Sequence, residues 1–184
     1  VDFAVSNSEV WMTTKLDGEK TLFLPFNKGD DGRSGNPLNP DGSKTSYLWE
    51  EVWQRDNWLD VVGRFMHLNI TDEVDLVTGK KTRTESLLFP RYHQWRAVKG
   101  LVEASKVEGA GQKYLIQHSA GSGKTNSIAW AAHQLSTLHL EDGSKAFDSV
   151  IVVTDRTVLD RQLQDAITQI DAMSGVVAAI TSKD

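Results

Sequence analysis

The stretch of sequence that decides the fold reads Tyr114-Leu115-Ile116-Gln117-His118-Ser119-Ala120-Gly121-Ser122-Gly123-Lys124-Thr125. Its first four residues form a short apolar run of the kind found in buried strands, and an Ala-rich segment from Lys124 to Leu138 follows with helical spacing. A strand, a glycine-bearing turn and a helix are therefore predicted in that order. This is the structural context of a phosphate-binding loop.

Each residue type in the turn suits that chemistry. Gly121 and Gly123 can take positive φ and let backbone N–H groups approach a ligand, with Ser122 between them. Those N–H groups meet the positive end of the helix that begins near Lys124. The Lys124 ammonium would reach the β- and γ-phosphates, and the Thr125 hydroxyl would bind Mg²⁺. The segment therefore predicts a nucleoside triphosphate site.

One position departs from the general Walker A pattern. His118 stands where that pattern begins with glycine, while the part that wraps the phosphates is complete. We interpret His118 as a packed or capping residue rather than a catalytic base. The alternative, a flexible Gly/Ser turn that binds nothing, is disfavoured by the predicted strand and helix on either side.

The surrounding sequence alternates strands and helices. A helix beginning at Pro90 and ending before Gly109 precedes the loop, and a second buried strand is predicted at Val150–Thr154. A helix at Val158–Ile170 and a third strand at Val176–Ile180 complete the pattern. Because such alternation implies right-handed crossovers onto a parallel sheet, the predicted fold is α/β, the start of a RecA-like P-loop lobe.

The first half of the chain has a different pattern. Short strands within Phe3–Phe26 predict a β-hairpin, and the turn-forming residues of Asn27–Lys44 predict a long loop. Helical spacing from Ser46 predicts one helix, or two broken near Asn57, as a connector. The resulting organisation is residues 1–70 for the end of one region and its helical connector, 71–89 for a polar linker with a turn at Thr78-Gly79-Lys80, and 90–184 for the first part of the RecA-like lobe.

Composition excludes several classes of protein. The 184 residues carry a net charge of −5, with the acidic excess before Pro90, which argues against a dedicated nucleic-acid domain. There is no cysteine, hence no disulfide framework and no thiolate zinc site, as expected in the cytosol. No apolar run approaches a membrane span and no secretory leader is visible, so no membrane partner is predicted. The absence of an initiator Met suggests a fragment.

Two further pairs are weaker candidates. Arg91 and Gln94 lie three apart at the start of the helix before the loop, where the Gln amide could read an adenine edge; a solvated helix end is the alternative. Asp155 and Arg156 follow the second predicted strand, at the sheet edge where open α/β folds bind ligands. Contact with a DNA backbone is one interpretation of that pair, and a helix cap by Asp155 is the other.

Other polar and aromatic groups are interpreted as structural. The acidic run Asp72-Glu73-Val74-Asp75 lacks an apolar strand before it and precedes the loop, so it is read as a surface turn rather than an ATPase acidic box. The histidines show no metal-binding spacing with carboxylates, and Mg²⁺ carried by nucleotide is the only metal predicted. The tryptophans on predicted helices are expected in the core.

The combined motifs resemble the R (HsdR) subunit of type I restriction enzymes. The residues that carry this resemblance are Phe89-Pro90-Arg91-Tyr92-His93-Gln94, Ile116 to Thr125 with His118 in place, and Val152-Val153-Thr154-Asp155-Arg156 with Leu159, Asp160 and Gln162. Phe3-Ala4-Val5-Ser6-Asn7 and Leu24-Pro25-Phe26 are similar to the segment between nuclease and motor in that subunit. The resemblance covers most of this chain and a minor part of the family's subunit.

The resemblance implies a function. Gly121, Ser122, Gly123, Lys124 and Thr125 would bind ATP and Mg²⁺, with Lys124 as the transition-state cation. Gln94, with Arg91, would recognise adenine, and Asp155 with Arg156 would lie near the DNA track. The parent enzyme would hydrolyse ATP to translocate double-stranded DNA before cleaving it, in the cytoplasm of a bacterium or archaeon, together with modification and specificity subunits.

Parts of that enzyme have no counterpart in this sequence. We find no acidic box after the loop, no second RecA-like lobe and no nuclease cluster, so the chain by itself is expected to be inactive. Two other hypotheses remain: another superfamily 2 DNA or RNA helicase, and a non-catalytic docking module with a vestigial nucleotide loop.

Overall fold

The structure is a computed structural model that describes residues 1–74, 79, 81–155 and 157–171. The chain divides into two compact units, Val1–His93 and Gln94–Asp184. Each unit has its own arrangement of secondary structure, and they are treated in turn.

The first unit begins with a small antiparallel sheet, which confirms the predicted hairpin. Strands β1 (Asp2–Val5) and β2 (Val10–Thr13) pair antiparallel, and β3 (Leu24–Pro25) pairs with the other edge of β2. In β2, Val10 and Met12 are buried and Trp11 is exposed, as the two-residue period of a half-buried strand requires. A 3₁₀ turn at Gly18–Lys20 lies between β2 and β3.

The predicted loop at 27–44 contains no helix and no strand, and side-chain amides anchor it. Asn36 is 3% exposed. Its Nδ2 donates to the Ser8 carbonyl at 3.0 Å and to Asn27 Oδ1 at 2.8 Å, while its Oδ1 accepts the Lys28 N–H at 2.8 Å. The loop is thereby fixed to the start of the sheet.

The helical connector is broken into two segments, as in the second of the two predicted forms, and its second segment consists of two consecutive elements. A π-helical turn spans Leu48–Val52, helix α1 spans Arg55–Asp60, and a second π-helical turn follows at Val61–Phe65. The break falls at Gln54, whose backbone is extended, three residues before the predicted position. Leu48, Val52, Val61 and Phe65 are buried, so this apolar stripe faces the core.

The segment predicted as a polar linker is instead a β-ribbon. Strand β4 (His67–Val74) pairs antiparallel with β5 (Lys81–Leu88), with His67 opposite Leu88 and Val74 opposite Lys81. The predicted turn falls between these strands; Gly79 in it has φ +66°, and Thr78 and Lys80 lie outside the described residues. An antiparallel ribbon can expose polar side chains on both faces, so its composition resembles that of a linker.

Aromatic rings form the core of the first unit. The Phe3 ring lies 5.5 Å from Phe26 and 6.0 Å from Phe89, both edge to face, and it also contacts Trp53 and Trp58. Trp53 is nevertheless 42% exposed and Trp49 45%, so the expectation that the helix tryptophans lie in the core is wrong for these two. Such edge-to-face pairs add to the gain from burial. These contacts bring residues from the start, middle and end of the unit into one cluster.

The described residues from 90 onward contain three helices. Helix α2 spans Tyr92–Glu108, α3 spans Lys124–Ser136 and α4 spans Thr157–Asp171, within about two residues of their predicted bounds. The helices α3 and α4 pack against each other, with Ala129 and Trp130 buried on α3 and Leu163 and Ile170 buried on α4. None of the helices within the described residues has the length and apolarity to span a bilayer.

The two strands predicted beside these helices are not formed. Residues 112–119 and 150–154 have no regular secondary structure, and Leu115 and Val153 are 90% and 86% exposed. A strand of a parallel sheet needs hydrogen-bonding neighbours, and neither segment pairs with another described residue in a ladder. The third predicted strand, Val176–Ile180, lies outside the described residues, so the parallel sheet stays a prediction.

Candidate functional site

The candidate site is the turn that leads into α3. Gly121 has φ +73° and Gly123 has φ +80°, so both glycines adopt the left-handed conformation that the sequence predicts for them. Gly123 is the residue before the first helical residue, Lys124, and Ser122 between the glycines is buried. The backbone therefore turns sharply and enters the helix at the predicted position.

Several backbone amides of this turn have no acceptor among the described residues. Over the stretches that the structure covers, the N–H groups of Gly121, Gly123, Lys124 and Thr125 donate to no other residue, whereas Ser122 N–H donates to the Ser119 carbonyl at 3.4 Å. Two of these amides belong to the first turn of α3, where no intrahelical acceptor exists. A helix N-terminus with available N–H groups favours an anion.

The Lys124 side chain bends back over the turn. Its ammonium donates to the carbonyl of Ser119 at 2.8 Å and to that of His118 at 3.3 Å. The positive charge thus lies beside the loop rather than away from it. An arriving phosphate would exchange these neutral carbonyl contacts for a charge-assisted one, which is the stronger kind of hydrogen bond.

Burial and the Lys124 charge are the two causes that lower the pKa of His118. Partial burial lowers the pKa of the His118 imidazole, and the Lys124 charge lowers it further. Both causes favour the neutral form of the ring, and the interpretation of His118 as a packed or capping residue rather than a catalytic base stays a prediction.

Thr125 is the residue that would hold a magnesium ion. It follows Lys124 in the first turn of α3 and is half-buried, and its hydroxyl is a hard oxygen donor of the type that Mg²⁺ accepts. The described residues contain no group of three or more His, Cys, Asp or Glu side chains suited to a metal. A single protein hydroxyl fits an ion that takes its other ligands from phosphates and water.

Gln94 contacts the loop directly. Its side chain is buried in the first turn of α2, and its Nε2 donates to the Gly123 carbonyl at 2.8 Å. The sequence predicted a contact with adenine for this residue; the structure places its amide group against the turn that leads into α3. The adenine contact stays a prediction.

The structure says less about the other predicted site residues, Arg91, Asp155 and Arg156. Arg91 is half-buried and directly precedes α2, and its nucleotide role stays a prediction. Asp155 is exposed two residues before α4 begins. Arg156, its predicted partner on DNA, lies outside the described residues, so the structure does not test that pair.

The comparison with protein families bears on this site. Residues 93–183 match the family model for the SWI2/SNF2 ATPase. This match supports a superfamily 2 helicase-like motor region in that part of the chain, with ATP as the nucleotide. No curated protein and no solved structure matches the chain.

The sequence did not predict the hydrogen bonds that hold the turn in place. The contact between Gln94 and Gly123 joins residues 29 positions apart, and the Lys124 ammonium uses backbone carbonyls. Every residue has a backbone carbonyl, so the sequence does not show which carbonyls accept hydrogen bonds from side chains. The signal that existed was the glycine itself, because a Cβ at position 123 would lie 2.5 Å from Gln94 Nε2.

Proposed function

We propose that this chain is the ATP-binding segment of a type I restriction endonuclease R subunit, whose motor hydrolyses ATP to translocate double-stranded DNA before cleavage. The observation that carries the nucleotide part is the turn at Gly121–Thr125, with two left-handed glycines and amides that have no described acceptor. The family match over residues 93–183 supports the motor part. The restriction part rests on the resemblance of the sequence motifs.

In this proposal the chain's own residues bind and orient the triphosphate. The amides of Gly123, Lys124 and Thr125 would donate to phosphate oxygens, and the Lys124 ammonium would move from its two carbonyls onto the phosphate chain. Mg²⁺ held through Thr125 would supply charge neutralisation at the phosphates. Stabilisation of the negative charge in the transition state is then the main contribution of this site to phosphoryl transfer.

The proposal includes a RecA-like lobe. Residues 114–117 and 150–154 would be strands of its parallel sheet. Their exposed apolar side chains support this, because large apolar side chains are usually covered in the working form of a protein. Slow hydrogen exchange of these amides in the assembled enzyme is expected, and fast exchange there would contradict the lobe.

Lys124 provides the direct test. We expect Lys124→Ala to lower DNA-stimulated ATP hydrolysis at least about 100-fold in the intact subunit assembled with modification and specificity subunits. Lys106→Ala removes an exposed lysine from α2 and serves as the matched control with unchanged turnover. Undiminished hydrolysis in Lys124→Ala would refute the assignment of this lysine.

A second candidate is another superfamily 2 DNA or RNA helicase, which the broader family match favours. The two differ in the reaction that ATP drives. ATP-dependent cleavage of DNA by the assembled complex, lost in Lys124→Ala, is expected for the restriction enzyme. Strand separation or translocation without cleavage would favour the alternative.

A further inference from the structure

Gln94 occupies the space that Gly123 leaves open. The side chain is 3% exposed and its Nε2 lies 2.8 Å from the Gly123 carbonyl oxygen. A Cβ on residue 123 would approach that same nitrogen to 2.5 Å, and its Cδ to 3.5 Å. A buried amide needs hydrogen-bonding partners, and the Gly123 carbonyl in the turn before α3 is one of them.

The Gly123 carbonyl also accepts hydrogen bonds from the third and fourth residues of α3. Asn126 N–H donates to it at 3.1 Å and Ser127 N–H at 3.3 Å. This oxygen therefore has donors on the helix side and a further donor from Gln94. Its direction is determined by all three.

The direction of this carbonyl fixes the direction of the next amide. The Gly123 C=O and the Lys124 N–H belong to one planar trans peptide, so they point in opposite directions. When the oxygen faces Gln94 and the helix, the Lys124 N–H must face out of the helix N-terminus. That is where an anion would bind.

We propose that Gln94 is a positioning residue of the triphosphate site, which orients the Lys124 amide toward phosphate by holding the Gly123 carbonyl. The inference rests on the proposed nucleotide function. It assigns to Gln94 an effect on the phosphate chain that does not depend on the base. Any adenine contact would add to this effect.

Binding of three ligands by the full chain tests the inference. We expect Gln94→Leu to weaken inorganic tripolyphosphate, ATP and GTP by a common factor of about three- to tenfold in calorimetric titrations, since one hydrogen bond to the loop is lost. Gln169→Leu, which changes an exposed glutamine on α4 in the same way, is the control with unchanged affinity. A further loss confined to ATP would measure adenine recognition separately.

A conservative variant distinguishes positioning from a general loss of packing. Gln94→Glu keeps the shape but has no donor when ionised, whereas its protonated form regains an O–H for the Gly123 carbonyl. The ratio of variant to wild-type tripolyphosphate affinity should therefore recover as the pH is lowered. A packing defect alone would leave that ratio independent of pH.

The outcomes separate the two proposals. If the wild type binds none of the three ligands, the proposed nucleotide function fails and this inference fails with it. If the wild type binds and Gln94→Leu weakens only ATP, or if the pH dependence of the Gln94→Glu ratio is flat, the positioning role is overturned while the nucleotide function stands.

Discussion

The loop at 27–44 and the turn at 118–123 both contain glycines with positive φ, but they use their backbone amides differently. In the first loop, Gly29 N–H donates to the Gly35 carbonyl at 2.9 Å, Asp30 and Arg33 exchange backbone hydrogen bonds, and Asn36 accepts the Lys28 N–H. In the second, the amides of Gly121 and Gly123 find no acceptor among the described residues. In the first loop the N–H groups of Gly29, Asp30 and Arg33 are used within the loop itself, which is a structural use, whereas both glycine amides of the second turn are available to an anion.

The largest effect is expected where the second turn is made to clash. Gly121→Ala and Gly123→Ala both place a side chain at positive φ, which costs about 1–3 kcal/mol. An added Cβ meets nothing within 4 Å at Gly121, but it collides with Gln94 at Gly123. We therefore expect triphosphate binding, measured by titration calorimetry, to be roughly tenfold weaker in Gly123→Ala than in Gly121→Ala.

A double variant supplies the control for that comparison. Combining Gly123→Ala with Gln94→Ala removes the collision and keeps the strained φ, so part of the lost affinity should return. Equal losses in the two single variants, with no recovery in the double variant, would show that the packing of Gln94 against the turn is unimportant.

These two loops also show what the sequence could predict. The positive φ of Gly121 and Gly123 followed from the residue type, and the bounds of α3 and α4 followed from apolar spacing, because both depend on local rules. The hairpin of β1 and β2 was predicted for the same reason.

Features that depend on distant partners were not predicted. The β4–β5 ribbon consists mostly of polar residues, so its composition resembles that of a linker, and only its antiparallel ladder distinguishes the two. The anchoring of loop 27–44 by Asn36, and of Gly123 by Gln94, joins residues far apart in the chain. Tyr114–Gln117 has the apolar character of a strand, but forming one requires neighbours that no local pattern supplies.

The first loop should lose stability rather than ligand affinity when its anchor is removed. Asn36→Leu leaves the Lys28 N–H and the Ser8 carbonyl without their side-chain partners, at a cost of about 2–4 kcal/mol. Denaturant unfolding followed by tryptophan fluorescence should show this loss, with Leu38→Ala, a change at an exposed side chain of the same loop, close to wild type. Triphosphate affinity of folded Asn36→Leu should be unchanged; a loss would contradict the separation of the loops by function.

A smaller effect on stability is expected from Lys28, whose charge also holds the first loop in place. Lys28 Nζ lies 3.4 Å from Glu51 Oε2 and over the rings of Tyr47 and Tyr92 at 5.4 and 5.8 Å. Because the pair is partly solvated, Lys28→Met should lower the free energy of unfolding by no more than about 1 kcal/mol, and Lys28→Arg by less. A loss as large as that of Asn36→Leu would mean that charge, rather than amide hydrogen bonding, holds the loop.

The smallest effect concerns the second turn and pH. Burial and the Lys124 charge both lower the pKa of His118, with burial the larger cause. Removing the charge in Lys124→Ala should raise the pKa of this imidazole in an NMR titration, yet leave it below its ordinary value because burial remains. Lys106→Ala should leave the titration unchanged, and an unaltered His118 pKa in Lys124→Ala would show that the ammonium does not lie beside the loop in solution.

The same shift has a consequence for stability. A histidine whose pKa is lower in the folded state binds protons more readily when unfolded, so its contribution is complete above the unfolded pKa and declines as the pH falls below it. His118→Gln should therefore flatten the acid side of the stability profile in denaturant unfolding at a series of pH values. The loop at 27–44 contains no histidine and so has no counterpart of this imidazole. A profile equally steep in His118→Gln would show that the histidine beside Lys124 does not set this difference between the two loops.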